Sequence, residues 1–335
     1  MLSTLYSAVA RGRRRWFDRH PDARRRLARP VVSVGNLAVG GSGKTPTVAY
    51  LARMLSAAGE RPVVLSRGYA RRVRLDGVVV VRDRDGMRAG LDEAGDEPLM
   101  LARQLEGVPV LVSSDRHLAG VLGERHFDAS VHLLDDGFQH MMLERDVDLL
   151  LVDTRDVAEP RTLPRGRLRE PLDTLVRADA VLVTGDAPAV ADRLDALGAP
   201  RLFRLSRRLG APRWLGPDAG PVPAPGAACV LAVAGIAWPD RFVADLREAG
   251  WDVAGDLTFR DHHRYRPADA ERIARRAADV GADLVLTTEK DLVRLLPLAP
   301  LAAPIAWVPL VVGVEPAAEF QSWLLARLAA ARGRR

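Results

Sequence analysis

The feature that most constrains this chain is a glycine-rich loop that joins an apolar run to a helical pattern. Residues 31–34 are apolar enough for a buried strand, residues 35–46 contain closely spaced glycines, and residues 47–57 have helical spacing. The loop ends in the tripeptide Gly-Lys-Thr at 43–45. This order of strand, loop, tripeptide and helix is typical of a P-loop, which binds phosphate groups. The sequence therefore predicts an α/β fold whose first strand leads into a phosphate-binding turn.

The residues of this loop have distinct expected roles. Glycine allows backbone N–H groups to converge on phosphate oxygens, and the following helix adds the positive end of its dipole. Lys44 is expected to reach the β- and γ-phosphates of ATP, and Thr45 to bind Mg²⁺. Ala38 stands where the pattern usually has its first glycine, and the alternative interpretation is a plain glycine-rich turn. The predicted nucleotide-binding residues are Gly40, Gly41, Ser42, Gly43, Lys44 and Thr45.

Lysine is so rare in this chain that its positions are informative. Lys44 and Lys290 are the two lysines, and the other 47 of the 49 basic residues are arginine. Where arginine serves as the general cation, a retained lysine marks a place for a compact ammonium group. This favours the P-loop over the plain turn at Lys44, and it marks Lys290 as a second position that needs an explanation.

Composition excludes several classes of protein. Apolar residues make up 48% and charged residues 27% of the 335 residues, which argues against wholesale disorder. Cys229 is the only cysteine, so the sequence excludes an intramolecular disulfide and a cysteine cluster for zinc, which fits a reducing compartment. No apolar run approaches the ~20 residues of a membrane-spanning helix. The net charge of +6 is localised, because residues 1–30 carry nine arginines and two aspartates.

Short apolar runs alternate with helical patterns along the chain, which predicts parallel strands joined by crossover helices. The predicted strands are 31–34, 62–65, 108–112, 130–134, 148–152, 180–183, 230–234, 283–287 and 305–312. Helices are predicted near 241–249 and 317–331. The predicted fold class is a P-loop NTPase-like parallel sheet with helices on both faces, plus a second, smaller α/β domain.

A change in composition divides the chain. Residues 210–227 hold five prolines and four glycines, which predicts a linker. We therefore expect a basic N-terminal helix region at 1–29, a P-loop domain at 30–209 and a smaller domain at 228–335.

The N-terminal region has a helical apolar stripe next to a cluster of arginines. The stripe is formed by Leu2, Leu5, Tyr6 and Val9, and the cluster by Arg11, Arg13, Arg14 and Arg15. The charges follow the apolar part, so a secretory signal is excluded. An amphipathic helix of this kind suits an anionic membrane surface, and the alternative is a helix that packs on the domain with its arginines solvated.

Acidic residues after predicted strands are candidates for metal binding and catalysis. The predicted strand 130–134 ends in Asp135-Asp136, and paired carboxylates at a strand end suit a divalent cation, although a solvated turn has the same composition. The run 148–153 also ends in aspartate, but we interpret it as a structural strand. Asp96 precedes a helical pattern and, from the residues alone, is best interpreted as a helix cap.

Several polar motifs remain open from the residues alone. Asp261-His262-His263 is compatible with a metal site, but no other histidine or cysteine has supporting spacing, and an Asp-His pair acting across a cleft is an equal alternative. Arg67 follows the second predicted strand, where α/β sheets place ligand contacts. The arginine-rich segment 163–171, which contains Arg169, suits an anionic ligand or a solvated basic loop.

Taken together, these segments resemble the tetraacyldisaccharide 4′-kinases, the lipid A 4′-kinases of Gram-negative bacteria. The resemblance rests on motifs in the family's order: Val-Gly-Asn-Leu-Ala-Val-Gly-Gly-Ser-Gly-Lys-Thr-Pro (34–46), Ser-Arg-Gly-Tyr (66–69), Gly-Asp-Glu-Pro (95–98), Asp-Asp-Gly-Phe-Gln-His (135–140), Leu-Pro-Arg-Gly-Arg-Leu-Arg-Glu-Pro (163–171), Phe-Arg-Asp-His-His (259–263) and Thr-Thr-Glu-Lys-Asp (287–291). It implies transfer of the γ-phosphate of MgATP to the 4′-hydroxyl of a tetraacyldisaccharide 1-phosphate, which gives lipid IVA.

The resemblance also implies roles for individual residues. Asp96 is the implied catalytic base, assisted by His262, which replaces the helix-cap interpretation. Asp136 and Glu170 are implied metal ligands together with Thr45. The implied substrate or cleft residues are Asp135, Arg67, Arg169 and Lys290.

The resemblance further implies a lipid acceptor and an N-terminal helix in peripheral contact with an anionic membrane. We therefore expect the cytoplasmic face of the bacterial inner membrane, with no membrane span, nucleic acid or obligate protein partner. The rival hypothesis is a P-loop ATPase switch whose basic arm binds DNA or membrane, because a P-loop is compatible with both classes. Such a switch hydrolyses ATP without an acceptor, whereas a kinase shows little ATP turnover until the lipid acceptor is added.

Overall fold

The computed structural model describes residues 2–73, 75–216 and 220–334. Its helices are α1 (Leu2–Arg19), α2 (Lys44–Ala57), α3 (Leu91–Ala94), α4 (Asp96–Gln104), α5 (Arg116–Phe127), α6 (Thr154–Ala158), α7 (Ala191–Ala196), α8 (Pro239–Glu248), α9 (Pro267–Asp279), α10 (Glu289–Leu295) and α11 (Ala317–Gly333). Its strands are β1 (Val31–Asn36), β2 (Pro62–Ser66), β3 (Val79–Arg82), β4 (Val110–Val112), β5 (Val131–Asp135), β6 (Val147–Asp153), β7 (Ala180–Thr184), β8 (Arg201–Leu209), β9 (Arg213–Trp214), β10 (Cys229–Ala234), β11 (Asp252–Thr258), β12 (Leu284–Thr288), β13 (Ile305–Val308) and β14 (Leu310–Glu315).

The larger sheet has nine strands in the order β14-β8-β7-β6-β1-β5-β2-β4-β3. The P-loop strand β1 lies near its centre and pairs in parallel with β5 and β6. Val34 of β1 is level with Asp135 at the end of β5, so the P-loop and the paired aspartates emerge at the same edge of the sheet. In open α/β sheets this carboxyl edge is where ligands bind.

Helices cover both faces of this sheet, as predicted. On one face α2, α4 and α11 bury apolar side chains such as Leu51, Leu101 and Phe320 in a common core with the strands. On the other face α5 and α7 contribute Ala119 and Leu194 to two further clusters. The central strands are buried on both sides, which explains why they appear in the sequence as continuous apolar runs rather than alternating ones.

The smaller sheet has five strands in the order β11-β10-β12-β13-β9. The first four are parallel to one another, and β9 pairs antiparallel to β13. The helix α8 packs on one face through Phe242 and Leu246, and α9 and α10 pack on the other through Ile273 and Leu292. The expected second α/β unit is therefore present, with its own core.

The predicted domain boundaries need a correction at the C-terminal side. The predicted single strand 305–312 is two strands in two different sheets: β13 belongs to the smaller sheet, and β14 pairs antiparallel to β8 in the larger one. Pro309 separates them, and its lack of an N–H group suits a break in pairing. The smaller domain therefore does not extend to 335, because α11 packs on the larger sheet.

The predicted linker 210–227 also holds structure. Its strand β9 completes the smaller sheet, and Gly210 N donates a 2.8 Å hydrogen bond to Pro309 O. The chain therefore crosses between the domains twice, near Gly210 and near Pro309. The hydrogen bond between these two residues links the two crossing segments.

Candidate active site

The P-loop joins β1 to α2 with the expected backbone geometry. Gly40 and Gly43 have φ values of 99° and 86°, a region that favours glycine, and Gly43 is the residue before the first turn of α2. A Cβ on Gly40 would lie 2.8 Å from Nε1 of Trp238, which belongs to the smaller domain. The loop is thus a tight turn at a helix N-terminus, and the second domain lies directly over it.

Lys44 is held at the centre of a polar network. Its Nζ donates to Asn36 Oδ1 at 3.0 Å and lies 3.5 Å from Asp136 Oδ1. Arg169 donates to both Asp136 oxygens at 2.9 and 3.2 Å, and to Asn36 Oδ1 at 2.5 Å. Burial would raise the pKa of Asp136, but Lys44 and Arg169 hold it well below its usual range. This carboxylate is therefore charged, and two cations already surround it.

Asp135 has the opposite electrostatic surroundings. Burial, together with the negative charges of Glu97 and Asp136, raises its pKa to about 7. Its Oδ1 atom is buried and lacks a hydrogen-bond partner. An unpaired buried carboxylate oxygen next to a second carboxylate is a place where a cation would lower the free energy.

Glu170 does not join these carboxylates. Its side chain is 6% exposed and forms a two-point ion pair with Arg14 of α1, one of whose bonds, NH2 to Oε1, measures 2.9 Å. Among residues 2–73, 75–216 and 220–334, no cluster of three or more histidine, cysteine or acidic side chains is arranged to hold a metal ion. In this structure Glu170 is paired with Arg14 of α1, and its expected role as a metal ligand stays a prediction.

Asp96 and His262 meet across the domain boundary. Asp96 is the first residue of α4, which follows Gly95 at φ 84°, and its Oδ2 lies 2.8 Å from Nδ1 of His262. Burial would raise the pKa of Asp96, but the bond to His262 and the charges of Lys290 and Arg294 lower it. Asp96 is thus a buried carboxylate that stays charged and has a histidine partner.

Lys290 lies in the cleft between the domains. Its Nζ is 3.2 Å from His262 Nε2 and 3.3 Å from both Glu97 Oε1 and Asp261 Oδ1. Burial would lower its pKa, but Glu97, Asp96 and Asp261 raise it. This lysine therefore holds together acidic groups of both domains around the Asp96–His262 pair.

The motif 287–291 contains Thr288 and Asp291, but the sequence assigned them no role, and the structure shows them as buried support beneath Lys290. Asp291 is fully buried and accepts hydrogen bonds from Gly235 N at 3.0 Å, from the Tyr265 hydroxyl at 2.7 Å and from Arg294 NH2 at 2.7 Å. Thr288 is the N-cap of α10 and accepts from Asp291 N at 3.1 Å. A Thr-x-x-Asp capping pattern was the available signal.

One cleft of about 520 Å³ connects these groups. The larger domain lines it with the P-loop, Arg67, Asp135, Asp136 and Arg169, and the smaller domain with Trp238, Arg241, Asp261, His262 and Lys290. The cleft therefore brings together most of the predicted site residues; Asp96 lies behind it, bonded to His262, and Glu170 is outside its lining. The structure adds Trp238 and Arg241 to the site. Arg241 NH1 donates a hydrogen bond across the domain boundary to Asp153 Oδ2 at 3.1 Å.

Comparison with known proteins agrees with this geometry. The family model described as tetraacyldisaccharide-1-P 4′-kinase matches residues 1–329. The chain belongs to this family. Membership confirms the predicted resemblance and the prediction of a lipid kinase, and it argues against the ATPase-switch hypothesis.

Individual relatives extend over nearly the whole chain. The tetraacyldisaccharide 4′-kinase of Koribacter versatilis is 41% identical over 315 residues, which are 91% of this chain and 90% of that protein. The one from Rhodopseudomonas palustris is 42% identical over 340 residues, covering 100% and 93%. The crystal structure of LpxK from Aquifex aeolicus in complex with ATP superimposes with a TM-score of 0.76 at 30% identity, covering 98% of this chain and 97% of that one. This neighbour confirms the predicted fold class.

Proposed function

We propose that this chain transfers the γ-phosphate of ATP to the 4′-hydroxyl of tetraacyldisaccharide 1-phosphate and so forms lipid IVA. The observation that carries the proposal is that Lys44 of the P-loop and His262 of the smaller domain line one cleft, and that His262 is hydrogen-bonded to the buried Asp96. A P-loop holds the donor phosphates, and a carboxylate–histidine pair suits the acceptor hydroxyl.

The donor side consists of the P-loop amides, Lys44 and the N-terminus of α2. The ammonium group of Lys44 fits between phosphate oxygens as a point charge, and Arg169 lies close enough to neutralise charge on the same side of the cleft. These groups position the triphosphate and stabilise the charge that develops on the transferred group, which is the main requirement of phosphoryl transfer.

The residues present fit Mg²⁺. Asp135 Oδ1 is a buried oxygen without a partner, Asp136 is ionised beside it, and Thr45 lies in the first turn of α2. Mg²⁺ is usually bound through one or two carboxylates plus substrate phosphates, so a third protein carboxylate is not required. When bound, Mg²⁺ would neutralise negative charge on the donor phosphates.

The acceptor side consists of Asp96 and His262. The cations around Asp96 keep it ionised, which makes it a weak proton acceptor but a firm hydrogen-bond acceptor for the sugar hydroxyl. In a loose phosphoryl-transfer transition state the proton leaves late, so orientation of the hydroxyl comes first. His262 holds the carboxylate in place from the other domain, which makes turnover dependent on how the two domains meet.

The lipid acceptor requires contact with a membrane surface, and α1 suits this role. Leu2, Leu5 and Val9 are 66%, 64% and 66% exposed on the helix, and Trp16 is 49% exposed near its end. Within the described residues, none of the helices has both the length and the apolar character needed to pass through a bilayer. An exposed apolar face beside arginines supports peripheral binding to the anionic cytoplasmic face of the inner membrane.

The decisive experiment is incubation of the purified protein with labelled ATP and disaccharide 1-phosphate in mixed micelles, followed by chromatography of the lipid. We expect labelled lipid and little ATP hydrolysis when the acceptor is omitted. Folded protein that binds ATP but labels no lipid would refute the proposed function. Vigorous acceptor-independent hydrolysis would restore the ATPase-switch hypothesis.

A further inference from the structure

The helix α1 attaches to the larger domain mainly through polar side chains, with Phe17 as its one buried apolar residue, which reverses the usual arrangement of a surface helix. Ser3, Ser7, Arg11, Arg14 and Asp18 follow one another at spacings of three or four, so they share one face. Each of them has a partner in the segment 162–177. The apolar stripe is left on the opposite, exposed face.

Arg14 makes the most buried of these contacts. Its guanidinium forms a two-point pair with Glu170, and its NH2 also donates to Phe138 O at 3.3 Å. The same group lies over the Phe138 ring, 4.3 Å from the ring centre. The side chains of Arg14 and Glu170 are 12% and 6% exposed, so this pair is shielded from solvent. Arg11 differs, because its pair with Asp173 lies on the surface with both side chains about half exposed.

The two partners of Arg14 are neighbours of the catalytic groups. Glu170 follows Arg169, the residue that donates to Asp136 and Asn36. Phe138 lies two residues after Asp136 and packs against β1, since a Cβ on Gly35 would come within 2.4 Å of Phe138 Cβ. One guanidinium of α1 therefore holds both loops that carry the Arg169–Asp136 contact.

We propose that Arg14 is a positioning residue that ties the membrane-facing helix to the donor site, so that the seating of α1 sets the geometry of Arg169 and Asp136. This inference rests on the proposed function. One face of α1 meets the lipid surface, and the other face orders the phosphate-binding loops. Contact of α1 with the membrane is thereby coupled to the order of the phosphate-binding loops, at the surface where the lipid acceptor is found.

The physical reason is the low exposure of the pair. Removal of Arg14 leaves Glu170 as a buried carboxylate without its cation, and an unpaired buried charge forces its surroundings to rearrange or admit water. Glu170 is covalently next to Arg169, so the rearrangement reaches the Asp136 contact directly. Removal of Arg11 leaves Asp173 in solvent, where the loss is small.

The test compares R14Q with R11Q, which removes the same charge from the same helix. We expect kcat of R14Q to fall about 10- to 100-fold, as for other residues that orient ligands of a charged centre. R11Q should keep kcat within about twofold. Binding to vesicles of phosphatidylethanolamine and phosphatidylglycerol should be the same for both variants. R14Q should also lose part of the rise in Tm that MgATP produces, while R11Q keeps it.

A double-mutant cycle with E170Q separates positioning from metal binding. If Glu170 acts through Arg14, the R14Q/E170Q double variant is no slower than the slower single variant, and the Mg²⁺ concentration for half-maximal rate is unchanged. Losses that multiply, or a loss of kcat explained by weaker vesicle binding, would overturn the proposal. So would wild-type kcat in folded R14Q.

R14K covers the case in which R14Q does not fold. Lysine keeps the charge but cannot form the two-point pair or stack as a plane on Phe138, so we expect a smaller but clear loss of kcat. Folded R14K with wild-type kcat would contradict the proposal. The MgATP-induced rise in Tm needs no lipid, so the inference remains testable even if the lipid assay refutes the proposed function.

Discussion

The Nδ1 atom of His262 lies 2.8 Å from the Oδ2 atom of Asp96, although 166 residues and a domain boundary separate them. The two residues belong to different sequence motifs. Asp96 directly follows Gly95, which has a positive φ, and His262 itself has a positive φ. The contact exists because the double crossing at Gly210 and Pro309 folds the smaller sheet back over the larger one. The acceptor site is therefore a property of the domain arrangement.

The first prediction concerns Asp96. Asp96→Asn keeps the shape of the side chain and removes the charge that orients and deprotonates the hydroxyl, so we expect kcat to fall about 10²- to 10⁴-fold. ATP binding should persist, because Asp96 lies outside the P-loop. Steady-state kinetics with the lipid acceptor, together with MgATP-induced thermal shifts, measure both effects. Asp192→Asn on the exposed face of α7 is the control, and near-normal kcat in Asp96→Asn would remove Asp96 as the base.

The second prediction uses pH to test Lys290. The folded-state pKa of Asp96 lies below the ordinary 3.8 because His262, Lys290 and Arg294 outweigh burial. Its charge therefore stabilises the folded protein above that ordinary value, and this contribution is lost as pH falls through the folded pKa. Lys290→Met removes one cation, so the acid limb of kcat and the onset of acid unfolding should both move to higher pH by about one unit.

Lys290→Arg is the matched control for this shift. It retains a positive charge beside Asp96, so its acid limb should stay near that of the wild type. Measurement of kcat and of Tm between about pH 3 and pH 8 gives the acid limb of kcat and the onset of acid unfolding. An unchanged acid limb of kcat in Lys290→Met would show that Lys290 does not lower the pKa of Asp96.

Six inner strands of the larger sheet were predictable because they are buried on both faces and separated by helical patterns. The strands β3 and β8 are only partly buried and were not predicted. The partition of residues 305–315 was not predictable in the same way. Both β13 and β14 are apolar and β-branched, and local propensity does not state which sheet a strand joins. Pro309 was the one local signal of a break, and only the tertiary fold sends β14 back to β8.

The candidate site shows a similar division. The P-loop was predictable because phosphate binding needs glycines, lysine and threonine in one short segment. The environment of Glu170 was not, because its partner Arg14 is 156 residues away and one of 47 arginines. Lysine rarity marked Lys290, and its position in the cleft was a hypothesis attached to the motif 287–291. The groups that Lys290 contacts come from both domains and required the fold.

The third prediction concerns Lys44. Lys44→Arg keeps the charge, but a planar guanidinium is too broad to replace an ammonium that contacts Asn36 and lies beside Asp136. We expect kcat/KM for ATP to fall nearly as far as in Lys44→Met. Kinetics under lipid saturation measure this, and substantial retention of activity in Lys44→Arg would show that charge alone is sufficient at this position.

The fourth prediction concerns Glu289, a buried carboxylate at the contact between α4 and α10. Gln104 Nε2 donates to its Oε2 at 2.6 Å, and burial raises its pKa from 4.5 to about 7, although Gln104 and the charges of Arg53, Arg213 and Arg103 oppose the shift. Because the folded pKa is raised, the folded protein retains a proton that the unfolded chain has lost. Stability should therefore decline as pH rises from about 4.5 to about 7 and then level off.

Glu289→Gln removes that decline, because glutamine is neutral at every pH and still accepts from Gln104. The variant should match the wild type near pH 4.5 and exceed its free energy of unfolding above pH 7, by at most about 3 kcal/mol. Urea unfolding at a series of pH values measures the difference, and Glu271→Gln on the exposed face of α9 is the control. A difference that is independent of pH would mean that Glu289 is not the titrating group, and that its effect on the α4–α10 contact is one of packing.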